Sequence, residues 1–131
     1  MKSFTTVEQS KMLAKILPLD SADMEYLAIK EIGKLIGCVP FVKDDFEVED
    51  SAYSHTYDRI ACWSLSALLS VIPKRIKEYN VLRIDIGEKE FSIWYDEIGY
   101  GVNTELPDIT MESSVDACVS MIIKLHELNL L

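Results

Sequence analysis

Residues 81–96 read VLRIDIGEKEFSIWYD. Leu82, Ile84 and Ile86 alternate with Arg83 and Asp85, and Phe91, Ile93 and Tyr95 alternate with Ser92 and Trp94. Alternation with a period of two is the strand period, because successive side chains point to opposite faces of the backbone. The runs flank GEKE, a polar loop that starts with glycine, so the stretch predicts an antiparallel hairpin with one apolar face and one mixed face. GYGVN at 99–103 can return as a third strand, its two glycines marking a bulge or a close backbone approach.

A sheet with one apolar face needs a cover, and three segments have helical patterning. From Thr6 to Leu17, Met12, Leu13, Ile16 and Leu17 recur at helical spacing opposite Glu8, Lys11 and Lys15. Thr5 or Thr6 suits the N-cap, with Glu8 or Gln9 placed for a capping box, and Pro18 ends the run. In the central segment, CWSLSALLSVIP at 62–73, Ser64 as N-cap puts Trp63 and Leu68 at the two positions of a hydrophobic staple. Ser66 and Ser70 leave this helix one narrow polar line, so it is expected to be buried nearly all round, with Pro73 ending it. The last segment, SSVDACVSMIIKLHELNLL, starts at a Ser113 or Ser114 cap and carries Val115, Cys118, Met121, Ile122 and Leu125 as its apolar stripe. Asn129 suits a left-handed C-cap, with Leu130 folding back onto the last turn.

The stretch from Met24 to Val42 fits two readings. As a helix, Met24, Ala28, Ile29, Ile32, Leu35 and Ile36 fall on one side; as a hairpin, Tyr26–Lys30 and Leu35–Val42 flank a turn at Gly33. A mid-helix glycine costs about 1 kcal/mol and the second half is rich in β-branched and aromatic residues, which favours the hairpin. Residues 43–59 are polar and acidic and are expected to form an exposed connection. The expectation is therefore an α+β fold: an antiparallel sheet of three to five strands, the 81–103 meander extended by the 26–42 hairpin, packed on one face by three helices within a single globular domain spanning 1–131.

Composition narrows the function. The chain has 131 residues and a net charge of −9, from 22 acids against 13 bases, so direct nucleic acid binding is not expected. An acidic protein suits a basic partner surface or mimicry of nucleic acid. The N-terminal stretch lacks the apolar core of a signal peptide, and the most apolar run, 60–72, falls short of the ~20 residues that span a bilayer. A soluble protein of the cytoplasm, without membrane contact, is the expectation. Three scattered cysteines, Cys38, Cys62 and Cys118, form no C-x-x-C pair and suit reduced, buried side chains.

Motif chemistry is sparse. The nearest soft-ligand pair is His55 and Cys62, too far apart in sequence to share a turn, and no H-x-x-x-H occurs, so no metal is expected. The acidic run from 44 lacks the glycine and the final glutamate of a calcium loop. Cys62 with His55, or Ser64 with His126, would supply a nucleophile and base, yet no G-x-S-x-G or S-x-x-K accompanies them. Phosphate cradles are missing as well, and no cofactor is expected. Lys74, Arg75 and Lys77 are accounted for by the C-terminal dipole of the central helix.

Two sites remain. One is a partner-binding surface formed by Asp44, Asp45, Glu47, Glu49 and Asp50 with Tyr53 and Tyr57, since tyrosines are frequent interface anchors. The other is a pocket near Cys62, Trp63 and Trp94 in a small ligand-binding domain or enzyme. A homodimer would pair through an edge strand such as 99–103.

PLDSADM at 18–24, CWSLSALLSVIPKRI at 62–76, IWYDEIGYG at 93–101 and SVDACVSMIIKLHELNLL at 114–131 together resemble small uncharacterised proteins of Bacteroides-type bacteria and their prophages or mobile elements. The shared features are the run from Trp63 to Leu69 and Asp116-Ala117 in the last helix. The resemblance covers most of the chain outside 25–60 and implies an accessory gene product, with no activity and no catalytic residue to carry over. The function expected is that of a non-enzymatic accessory or regulatory protein acting through protein–protein interaction.

Overall fold

The computed structural model describes residues 2–31, 34–42, 57–98, 101–102 and 105–131. Its contacts gather into two compact units, Phe4–Ala67 and Leu68–Leu131 with Met1–Ser3.

In the first unit, Val7–Leu13 forms α1, and a single 3-10 turn at Leu19–Ser21 leads into strands β1 (Met24–Glu31), β2 (Lys34–Val42) and β3 (Tyr57–Cys62). Thr6 caps α1 through a reciprocal box: its hydroxyl accepts from the Gln9 amide at 3.1 Å, and the Gln9 side chain accepts from the Thr6 amide at 3.0 Å. The hairpin reading of 24–42 holds. All pairs are antiparallel in the order β2-β1-β3, so Pro40 lies on an edge strand, where its missing donor does least harm. The register slips between Leu27 and Ile29, where β2 carries the additional residue. α1 packs against β3, and Leu13, Leu17, Tyr26 and Cys62 are buried.

The second unit holds β4 (Arg75–Ile76), β5 (Asn80–Ile86), β6 (Phe91–Glu97), β7 (Gly101–Val102), β8 (Asp108–Met111) and α3 (Ser114–Glu127). The hairpin predicted at 81–96 is β5 and β6, paired from Asn80–Glu97 to Ile86–Phe91. Its turn closes with the Gly87 amide donating to Glu90 O at 2.8 Å, and a Cβ on Gly87 would meet that oxygen at 3.2 Å. β6 is central: β5 lies along one side, and β7 and β8 divide the other. α3 packs on β6 and β8, burying Phe91, Ile93, Tyr95 and Ile109 against Val115, Cys118, Met121 and Ile122. It is capped at both ends. Ser113 Oγ accepts from the Asp116 amide at 3.2 Å. At the other end Asn129 takes φ 57°, with Leu130 donating to Leu125 O at 2.9 Å and Asn129 to His126 O at 3.0 Å, a Schellman closure. Lys2 pairs with Asp116 in the first turn.

The helix α2 (Leu65–Val71) carries the chain from one unit to the other. Ser66 and Ser70 are its exposed line, but Leu65, Leu69 and Val71 are only half-buried, so it is amphipathic rather than enclosed.

The class is as expected, α+β with antiparallel strands and three helices. The two hairpins nevertheless lie in separate sheets: β1 takes β2 and β3 as its two neighbours, and β5 and β6 pair with β4, β7 and β8. β3 uses Tyr57, Asp58 and Arg59, which sequence pattern alone places in the connection. β4 and β8 are further strands that the sequence reading passed over.

Two consequences are measurable. Lys77 holds φ 53° in the tight turn between β4 and β5, a conformation that costs a side chain roughly 1–2 kcal/mol. Lys77→Gly is expected to stabilise the protein by about 0.5–1 kcal/mol, raising the melting temperature by a few degrees in calorimetry. Burial pushes the Cys118 thiol up to about 12, against a partial opposing pull from Lys74, and raises the Tyr95 phenol well above its ordinary range. Both groups bind their proton more tightly folded than unfolded. Stability is therefore full below their ordinary values of 9.0 and 10.0 and falls as pH climbs toward the raised values. Each group contributes a slope of at most about 1.4 kcal/mol per pH unit. Urea midpoints measured from pH 8 upward should fall, and Cys118→Ala should flatten the curve.

Candidate functional site

Cys62-Trp63-Ser64 is the first arrangement to test for chemistry. Cys62 and Trp63 are fully buried. The Trp63 indole donates to Ser21 Oγ at 2.9 Å, so the one polar atom of its side chain is satisfied. Around Cys62, Thr5 acts as a hub. Its amide donates to Trp63 O at 3.0 Å, its hydroxyl accepts from the Trp63 amide at 3.1 Å and pairs with Ser10 Oγ at 2.7 Å, and its carbonyl accepts from the Tyr26 hydroxyl at 2.7 Å. Burial raises the Cys62 thiol above its ordinary value, partly offset by hydrogen bonds from Thr5 and Ser10. A thiol held neutral and away from solvent is a poor nucleophile.

Ser64 is engaged as well. Its hydroxyl accepts from the Ala67 amide at 3.2 Å as the α2 N-cap and donates to Asp23, whose other oxygen accepts from the Ser64 amide at 2.9 Å. Native protein carrying Cys38→Ser should resist iodoacetamide at pH 8, with Cys62 and Cys118 modified only after denaturation. Rapid labelling of Cys62 in the folded protein would contradict this account.

Asp44, Asp45, Glu47, Glu49, Asp50 and Tyr53 lie outside the described residues, as does His55. Tyr57 is placed only by its backbone, which starts β3 opposite Ile29. Trp94 lies half-buried on the mixed face of β6, donating to Asp96 at 2.8 Å, and Arg83 reaches the same carboxylate at 3.4 Å. Edge strand 99–103 is described only at Gly101–Val102, which pairs at the edge of β6.

The feature that stands out was read from sequence as core. Leu82, Ile84 and Ile86 face the same side as Tyr95, Ile93 and Phe91, their register partners. Yet burial along β5 decays toward the turn: Ile84 is 40% exposed and Ile86 78%, and Met111, opposite Phe91 on the other side of β6, is 39% exposed. α3 covers β6 and β8, and β4 is too short to shield the far half of β5. The Leu82 amide donates to Lys74 O at 2.9 Å, so it points away from β6. By the strand period, the amides and carbonyls of Ile84 and Ile86 point the same way, and among the described residues no strand pairs with them. The site is thus a short free strand edge with two exposed isoleucines on one face and Arg83 and Asp85 on the other.

Among the described residues, no three of the His, Cys, Asp and Glu side chains gather to hold a metal ion. No helix among them is long and apolar enough to cross a membrane. Fold and site define an antiparallel α+β protein with an accessible strand edge. No protein-family model, curated protein or solved structure matches the chain.

Proposed function

We propose that the protein is a non-enzymatic accessory or regulatory protein that binds another protein, and that it does so by adding a strand of that partner to β5. The observation that carries this reading is the free edge at Ile84 and Ile86. Backbone groups there are set for ladder bonds and the flanking side chains are apolar and exposed. Natural proteins normally protect such an edge with charged side chains, a proline or a covering segment; here the charges lie on one face alone, and the exposed isoleucines on the other support a contact surface. Asp85 on the opposite face favours a partner strand carrying a basic residue between two aliphatic ones.

The test is selection of extended peptides from a random displayed library, followed by titration against variants. Ile84→Pro removes the outward amide donor while leaving the bonds to β6 intact, and Ile86→Lys removes the apolar contact. Each is expected to weaken selected peptides at least about tenfold with the melting temperature little changed. Peptides that bind both variants as well as the parent protein would overturn the reading.

A further inference from the structure

A second feature, independent of the β5 edge, lies in the first unit. A concavity of about 590 Å³ opens where the end of α1 and the Leu19–Ala22 turn meet β1 and β3. That is within the range of small-molecule sites. Its lining is mostly apolar: Ala14, Leu19, Ala22, Met24, Ile60 and Ala61 line it, with Met24 and Ile60 on the same face of the sheet. Four charged residues, Lys11, Lys15, Glu25 and Arg59, line it as well. Glu25 accepts from Arg59 Nε at 3.1 Å and Nη2 at 2.9 Å, so that carboxylate is already balanced. Lys11 and Lys15 are exposed and four residues apart, and no ion pair among the described residues engages either. On a chain of net charge −9, an apolar hollow with surplus positive charge in its lining is an exception to the overall balance.

We infer that this hollow binds a small aliphatic carboxylate, its chain on Met24 and Ile60 and its head at Lys11 and Lys15. The two parts of the site ask for the two parts of such a molecule. The apolar lining gains from an aliphatic chain leaving water, and a paired set of ammonium groups gains from a carboxylate. An uncharged alcohol of the same length satisfies only the first, and acetate only the second.

The experiment is calorimetric titration with decanoate, decanol and acetate, with methyl NMR on Met24 and Ile60 to locate the contact. Decanoate is expected to bind with a Kd below about 1 mM, and decanol and acetate at least about tenfold more weakly. Replacing both lysines, Lys11→Glu with Lys15→Glu, should cost decanoate about tenfold or more, and Ala14→Trp, which fills the mouth, should abolish binding. All three positions are exposed, and thermal melts show whether the variants fold. Ile86→Lys should leave decanoate binding unchanged, which separates this site from the strand edge. Absence of decanoate binding, equal binding of decanol, or indifference to both the lysine and Ala14 variants would overturn the inference.

Discussion

Trp63→Ala is expected to cost about 3–5 kcal/mol, the range for emptying a fully buried aromatic site and a large share of a typical domain's 5–15 kcal/mol. Trp63 is fully buried and lies in the chain between β3 and the cap of α2. Trp63→Phe separates the contributions. It keeps most of the apolar area but loses the indole bond to Ser21 Oγ at 2.9 Å, while that hydroxyl still donates to Pro18 O, and should cost about 1 kcal/mol. Urea unfolding followed by circular dichroism measures both, since Trp94 would complicate a fluorescence readout. A Trp63→Ala midpoint within error of the parent protein would mean that the residue is not the packing centre described here.

That residue also shows how far the sequence could be read. Trp63, Ser64 and Leu68 carried staple and cap spacing, and the structure places Ser64 Oγ on the Ala67 amide with Trp63 and Leu68 fully buried. Local rules of this kind act within a few residues, which is why the Thr6 box, the Asn129 closure and the 81–96 hairpin were all legible. β3, β4 and β8 were not, because short strands take their identity from a neighbour supplied by distant chain. Arg75–Ile76 is a strand only because Val81 and Asn80 lie beside it.

The strand edge was missed for a related reason. Period-two alternation reports that Leu82, Ile84 and Ile86 share a face with Phe91, Ile93 and Tyr95, but not how far a helix extends over that face. The signal available was length: only Ile72, Pro73 and Lys74 separate α2 from β4, and a two-residue strand shields little of its neighbour. The hub at Thr5 was less legible still. Nothing in FTTVEQS distinguishes a capping threonine from one that binds residues more than fifty positions away.

Thr5→Val tests that hub with the least change of shape. Valine keeps the volume of threonine, so no cavity opens, and the backbone bonds to Trp63 and from Tyr26 remain available. What disappears is the hydroxyl that accepts from the Trp63 amide at 3.1 Å and pairs with Ser10 Oγ at 2.7 Å. Thr5 and Ser10 are both fully buried, so water cannot replace the lost partner. Each stranded polar group costs about 1–3 kcal/mol, and the variant is expected to lose about 2–4 kcal/mol in urea unfolding. The sharper outcome is the double variant. Thr5→Val leaves the Ser10 hydroxyl only its weak bond to the Cys62 thiol, so adding Ser10→Ala should recover up to about 1 kcal/mol, whereas Ser10→Ala alone should destabilise. A purely steric role for Thr5 predicts the reverse: little effect from valine and simple addition of the two changes. Strict additivity, or a Thr5→Val midpoint equal to that of the parent protein, would remove hydrogen bonding from the account of how the N-terminal segment is held to the β3–α2 junction.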